Sequence, residues 1–143
     1  MIAYLKDIEK IICDGQVVDI ELIYIKTRKR EIVICRQLIM YFLKKFNRKQ
    51  TLAEIGSVYG KDHATVLHAI KTVNNLIDTD KSFSCKVELY SKKIETIASF
   101  INEKLENNFE TIKKSLILAI NNNEAVSFDL FISYTLMVEN HLL

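Results

Sequence analysis

The chain is predicted to be all-α: a helix-turn-helix domain followed by a helical extension. Three observations carry that expectation. It has no proline and only three glycines in 143 residues, so helix breakers are scarce. Apolar residues recur at three- and four-residue spacing along most of its length. Finally, two cap-type residues, Thr51 and Asp62, stand close together with Gly60 between them, marking two helix starts around a tight turn.

Hydrophobic residues make up 49% and charged residues 27%, enough for a packed core and too apolar for disorder. No apolar run reaches the roughly 18 residues that span a bilayer, so no membrane partner is expected. The N-terminus, MIAYLKDIEKII, carries acids inside its apolar pattern and reads as an amphipathic helix, not a signal peptide. Cys13, Cys35 and Cys85 are far apart in sequence, odd in number and without paired metal spacing. They are expected to be reduced core thiols of a cytoplasmic protein. Net charge is +2 but unevenly placed. Residues 26–71 hold eleven Lys/Arg against three Asp/Glu, a balance of +8, and the remainder holds nine against fifteen, a balance of −6. A basic middle in an acidic whole suits a polyanion-binding face, although a solvated lysine-rich surface would look the same.

In chain order, a first helix is expected from about Ile2 to Cys13, ended by Asp14-Gly15. Val17 to Ile25 alternates like a strand but has no neighbour to pair with. An extended link and a short helix near Ile20 to Ile25 fit better. TRKREIVICRQLIMYFLKKF places Ile32, Cys35, Ile39, Phe42, Leu43 and Phe46 at helical spacing. After a loop at 47–50, Thr51 and Glu54 have capping-box spacing. They open a short helix with Leu52, Ile55 and Val58 that ends at Tyr59-Gly60. Asp62 can cap the next helix by accepting from the N–H of Ala64 or Thr65. That helix aligns Val66, Ile70, Val73 and Ile77. Thr51 to Leu76 is thus a helix-turn-helix candidate.

The mouth of the second helix, GKDHATVLHAI, mixes a cation, an anion, an imidazole and a hydroxyl. In a helix-turn-helix such residues face base edges in the major groove. Asp62 can accept from a cytosine amino group, and His63 can donate or pack on a thymine methyl. Thr65 offers a methyl and a hydroxyl, and Lys61 reaches guanine or phosphate. The plainer reading makes Asp62 only a cap and His63 only a turn residue. His68 is expected to pack on the core side. His63 and His68 are not at the i, i+4 spacing of a helical metal pair, so no metal is expected. No catalytic motif stands out, so no enzyme and no cofactor are expected.

Several ordered motifs give this segment a resemblance. GKDHATVLHAI, TLAEIGSVYGKDH and KTRKREIVICRQLIMY together resemble the C-terminal DNA-binding domain (domain IV) of the bacterial replication initiator DnaA. The similarity runs from about Ile8 to Tyr90. It implies a Trp-repressor-like helix-turn-helix domain over residues 1–90 that binds short boxes in double-stranded DNA. It further implies that Arg28 enters the minor groove, that Arg36 and Lys44 contact phosphates, and that Lys61, Asp62, His63 and Thr65 read bases. Two departures touch the site: Ala64 replaces the family's serine or threonine, and a single Gly60 replaces a double glycine. No G-x-x-x-x-G-K-[ST] loop occurs in these residues, so no nucleotide partner is expected.

The rest, residues 91–143, lies outside the resemblance. Apolar positions at 87, 90, 94, 97, 101, 105, 109, 112, 116 and 120 make a near-heptad seam. Asn107-Asn108 is a candidate kink or split, residues 121–126 a loop, and Ser127 a cap for a last helix through Met137. The seam must be buried in a bundle within the chain, by another protein, or by a second copy in a homodimer through the C-terminal helices. Sequence-specific DNA binding that regulates replication initiation or transcription is the function expected, with a mobile-element setting among the options. The other class of function is a protein-interaction module that docks on a replication protein.

Overall fold

The computed structural model describes residues 2, 4–122, 131, 132, 134–136 and 138. Its elements are α1 (Leu5–Gln16), a 3₁₀ turn (Ile20–Tyr24), α2 (Arg30–Phe46), α3 (Leu52–Ser57), α4 (His63–Thr79) and α5 (Lys81–Asn121). No strand occurs among the described residues, and the all-α expectation holds. Contacts divide the chain into two units, Met1–Ile97 and Ala98–Leu143.

In the first unit α2 is the central post. It packs on α1, the 3₁₀ turn, α3 and α4. Its apolar face buries Cys35, Leu38, Ile39, Phe42 and Leu43 completely, and each such large side chain adds about 1.5–3 kcal/mol by leaving water. Ile8 and Ile12 of α1, Ile55 of α3 and Val66 and Val73 of α4 complete this core. Val87, Tyr90 and Ile94 join it from the first part of α5.

Several expectations need correction. Asp14-Gly15 does not end α1, which continues to Gln16. Gly15 instead lies under the Tyr90 ring, where any Cβ would collide with it. The helix stops two residues later in a Schellman pattern: Val18 N–H donates to Cys13 C=O at 3.0 Å and Val17 N–H to Asp14 C=O at 3.3 Å. Val17 therefore occupies the left-handed position, φ 55°, that glycine usually fills. Cys13 and Cys35 are buried with their sulfurs 3.6 Å apart, but Cys85 is exposed on α5. Hydrogen bonding to Cys13, and then burial, push the Cys35 thiol far up. His68 points to solvent, not to the core, because Val66, Ala69 and Val73 form the buried stripe of α4. Asn107-Asn108 does not split α5, which is continuous.

In the second unit Phe109 stacks on Tyr134 with centroids 5.7 Å apart, and Leu116 is buried. Phe100, Leu105, Ile117, Leu118 and Ile120 are exposed. Ser127, Met137 and residues 123–126 lie outside the described residues.

Candidate nucleic-acid interface

Two segments present the predicted site residues. The first is the loop between the 3₁₀ turn and α2. Thr27 Oγ1 accepts from the Lys29 N–H at 3.3 Å, which folds the loop on itself and leaves Arg28 exposed. The loop is fixed from below by Arg36. Its Nη2 donates to the carbonyls of Ile25 at 3.3 Å and Thr27 at 3.0 Å. Arg36 is only 7% exposed. The two loop carbonyls occupy Nη2, while the buried Nε has no hydrogen-bond partner among the described residues. Lys44 is half-buried, and its Nζ donates to the carbonyls of Arg48 at 2.9 Å and Gln50 at 2.6 Å, holding the loop before α3.

The second segment is the turn between α3 and α4. Thr51 and Glu54 form a full capping box: Thr51 Oγ1 accepts from Glu54 N–H at 3.2 Å, and Glu54 Oε2 accepts from Thr51 N–H at 2.7 Å. The Thr51 N–H, and then the Thr51 hydroxyl, which donates to Oε2 at 2.9 Å, hold the Glu54 carboxyl below its ordinary range. Gly60 takes a left-handed φ of 59° and turns the chain. Lys61 N–H then donates back to Gly56 C=O at 2.9 Å, closing the turn onto α3. Asp62 caps α4, its Oδ1 accepting from Thr65 N–H at 2.8 Å. The Thr65 hydroxyl and then its N–H keep the Asp62 carboxyl low. His63, Ala64 and Thr65 follow on the first turn of α4 and are all exposed.

The two segments border two adjoining depressions. A cleft of about 340 Å³ is lined by Ile25 and Lys26 from the loop, Gly60 and Lys61 from the turn, and Arg36 behind. A groove of about 350 Å³ lies beside it and is lined by Gln37, Lys61, Asp62, Ala64, Thr65 and His68. The structure thus brings Lys61, Asp62 and Thr65 together on one groove. Arg28 sits on the loop that walls the adjoining cleft. Among the described residues no group of three His, Cys, Asp or Glu could hold a metal ion.

Sequence reasoning missed a polar cluster built on a buried carboxylate. Glu9 of α1 is 0% exposed. It accepts hydrogen bonds from the hydroxyls of Tyr24 and Tyr59, the latter at 2.8 Å, and from Lys6 Nζ at 3.1 Å. The signal was present in the sequence: a carboxylate sits among Ile8, Ile12 and Cys13 on the face of α1 that turns to the core. Burial, and then the Glu9 charge, push the Tyr59 hydroxyl far up, so it stays a proton donor.

Comparison with known proteins matches this architecture. Residues 5–73 fit the family described as the bacterial DnaA protein helix-turn-helix. The chromosomal replication initiator protein DnaA of Flavobacterium psychrophilum is 50% identical over 88 residues, which is 61% of this chain and 18% of that protein. Its counterpart in Bacteroides thetaiotaomicron is 45% identical over 83 residues, 57% of this chain and 17% of that protein. That of Desulfotalea psychrophila is 38% identical over 80 residues, 56% and 16%. The chain thus spans less than a fifth of the length of these relatives. Residues 5–73 therefore form a helix-turn-helix domain of the bacterial DnaA family, on an all-α chain that continues into a long fifth helix.

Proposed function

We propose that this chain binds double-stranded DNA sequence-specifically, at sites resembling DnaA boxes, and so regulates replication initiation or transcription in the cytoplasm. The observation that carries the reading is the pairing of two exposed elements on a domain of this family. One is the basic loop with Arg28, held by Arg36; the other is the first turn of α4 with Lys61, Asp62, His63 and Thr65. In the proposed complex α4 enters the major groove, with His63 and Thr65 at base edges, and Arg28 reaches the adjacent minor groove. Arg36 and Lys44 brace the flanking loops from behind and, as the family resemblance implies, supply phosphate contacts. The reading involves no chemistry on the DNA, no metal and no nucleotide. The exposed apolar side chains of α5 support a second copy as the partner of the C-terminal unit.

The test is a titration of the purified chain with a fluorescent duplex carrying a DnaA-type box, against a scrambled duplex, at two salt concentrations. A box preference of about tenfold or more is expected. About five phosphate contacts should give a log–log salt slope near −4.5. Absence of binding to both duplexes would refute the reading and favour a protein-docking role.

A further inference from the structure

We propose that Glu9, through Tyr24 and Tyr59, is a positioning residue of the DNA-reading surface: its buried carboxylate locks the basic loop and the helix-turn-helix turn in one register. The inference rests on the DNA-binding reading above and assigns a task to a helix, α1, that carries none of the proposed contacts.

The carboxylate is out of place on stability grounds. It is fully buried on the core face of α1 beside Ile8, Ile12 and Cys13. Taking a carboxylate out of water costs several kcal/mol, and a packed apolar residue at such a site is often as stable or more so. What an apolar residue cannot do is accept two hydroxyl hydrogen bonds at fixed angles. The donors come from the two segments that form the surface. Tyr24 ends the 3₁₀ turn, directly before Ile25, whose carbonyl receives Arg36. Tyr59 lies directly before Gly60 and Lys61. Both hydroxyls donate to the same oxygen, Oε1, and the two rings stack with centroids 5.6 Å apart. Lys6 Nζ donates to the other oxygen and to the Tyr24 hydroxyl at 3.1 Å. The cleft between the two segments carries Lys26 on one side and Lys61 on the other. A single carboxylate oxygen therefore sets the spacing of two cationic segments that would otherwise repel each other.

The experiment compares the full chain with its Tyr59→Phe, Tyr24→Phe and Glu9→Gln variants on box and scrambled duplexes. Ile94→Ala serves as control, because it opens the core from α5, which belongs to neither segment. Thermal midpoints are recorded for all, and binding is measured well below the lowest. A change that only lowers stability removes folded protein and leaves the ratio of box to scrambled affinity unchanged, as Ile94→Ala should. Tyr59→Phe and Glu9→Gln are expected to lower that ratio by about tenfold, the discrimination of one good base contact. Should Glu9→Gln fail to fold, the tyrosine variants, each lacking one oxygen, still decide the matter. A wild-type chain that prefers the box, with every variant keeping the wild-type ratio, overturns the inference. A wild-type chain without box preference instead overturns the DNA-reading proposal on which it stands.

Discussion

Gly56 is the position where one methyl group should do the most damage. It lies inside α3, where alanine is intrinsically better by about 1 kcal/mol. The turn, however, folds back onto it. A Cβ on Gly56 would fall well inside the 3.0 Å floor from the Lys61 carbonyl oxygen, and at 3.1 Å from both the Lys61 carbon and the Asp62 oxygen. All three atoms are backbone, so no flexible side chain can swing aside. The turn must retreat by roughly half an ångström or more, a strain in the overpacking range of about 1–3 kcal/mol. That shift also loosens the Lys61 N–H bond to Gly56 C=O. After the gain in helix propensity about 0–2 kcal/mol of the strain remains, and the loosened bond adds about 0.5–1 kcal/mol, so Gly56→Ala should destabilise by about 0.5–3 kcal/mol, which lowers the melting temperature by about 2–24 °C in a unit of this size. Since Lys61, Asp62 and His63 ride on the displaced turn, box affinity should fall further than the loss of folded protein explains. Calorimetry and a duplex titration measure the two effects. A melting temperature equal to or above that of the wild type would refute the clash. A lower one with unchanged affinity would refute the link from turn to site.

Val17→Gly should raise stability by about 1 kcal/mol, because Val17 is 93% exposed and contributes only its left-handed strain; an unchanged denaturant midpoint would show that the strain is absent. Arg28→Ala and His63→Ala should each weaken box binding by about 1–3 kcal/mol, with His63→Ala nearly silent on scrambled DNA, and equal losses on both duplexes would remove His63 from base reading. The depressed Asp62 and Glu54 carboxyls stabilise the fold above their ordinary values of 3.8 and 4.5, and that support is lost as the pH falls through their lower folded values. Asp62→Asn keeps a cap but cannot titrate, so its stability deficit against the wild type should shrink below pH 3.8, and a gap constant from neutral pH to pH 3 would contradict the assignment.

Where local chemistry decides the structure, the sequence was readable. The capping box of Thr51 and Glu54, the Asp62 cap and the buried stripes of α2 and α4 depend on residues within one or two turns of each other. Charge was readable as well, but its use was not. Arg36 and Lys44 look like DNA contacts in a basic stretch; only the fold reveals the carbonyls of residues 25, 27, 48 and 50 that their donors hold. Gly15 resembled a helix stop because its true constraint, the Tyr90 ring, is 75 residues away in the chain. The Glu9 cluster joins residues 9, 24 and 59 across three elements, and no spacing rule links them. Family motifs pointed to the candidate interface, while the long-range contacts that hold its segments in shape needed coordinates.

The cysteines give this chain a built-in reporter. Cys13 and Cys35 are sealed in the core, and Cys85 is exposed on α5. A thiol reagent should therefore count one reactive group in the folded chain and three in the unfolded one. A dye on Cys85 would mark α5, which contributes to neither segment of the proposed interface. The slower modification of Cys13 and Cys35 would time the opening of the α1–α2 contact, with no engineered residue.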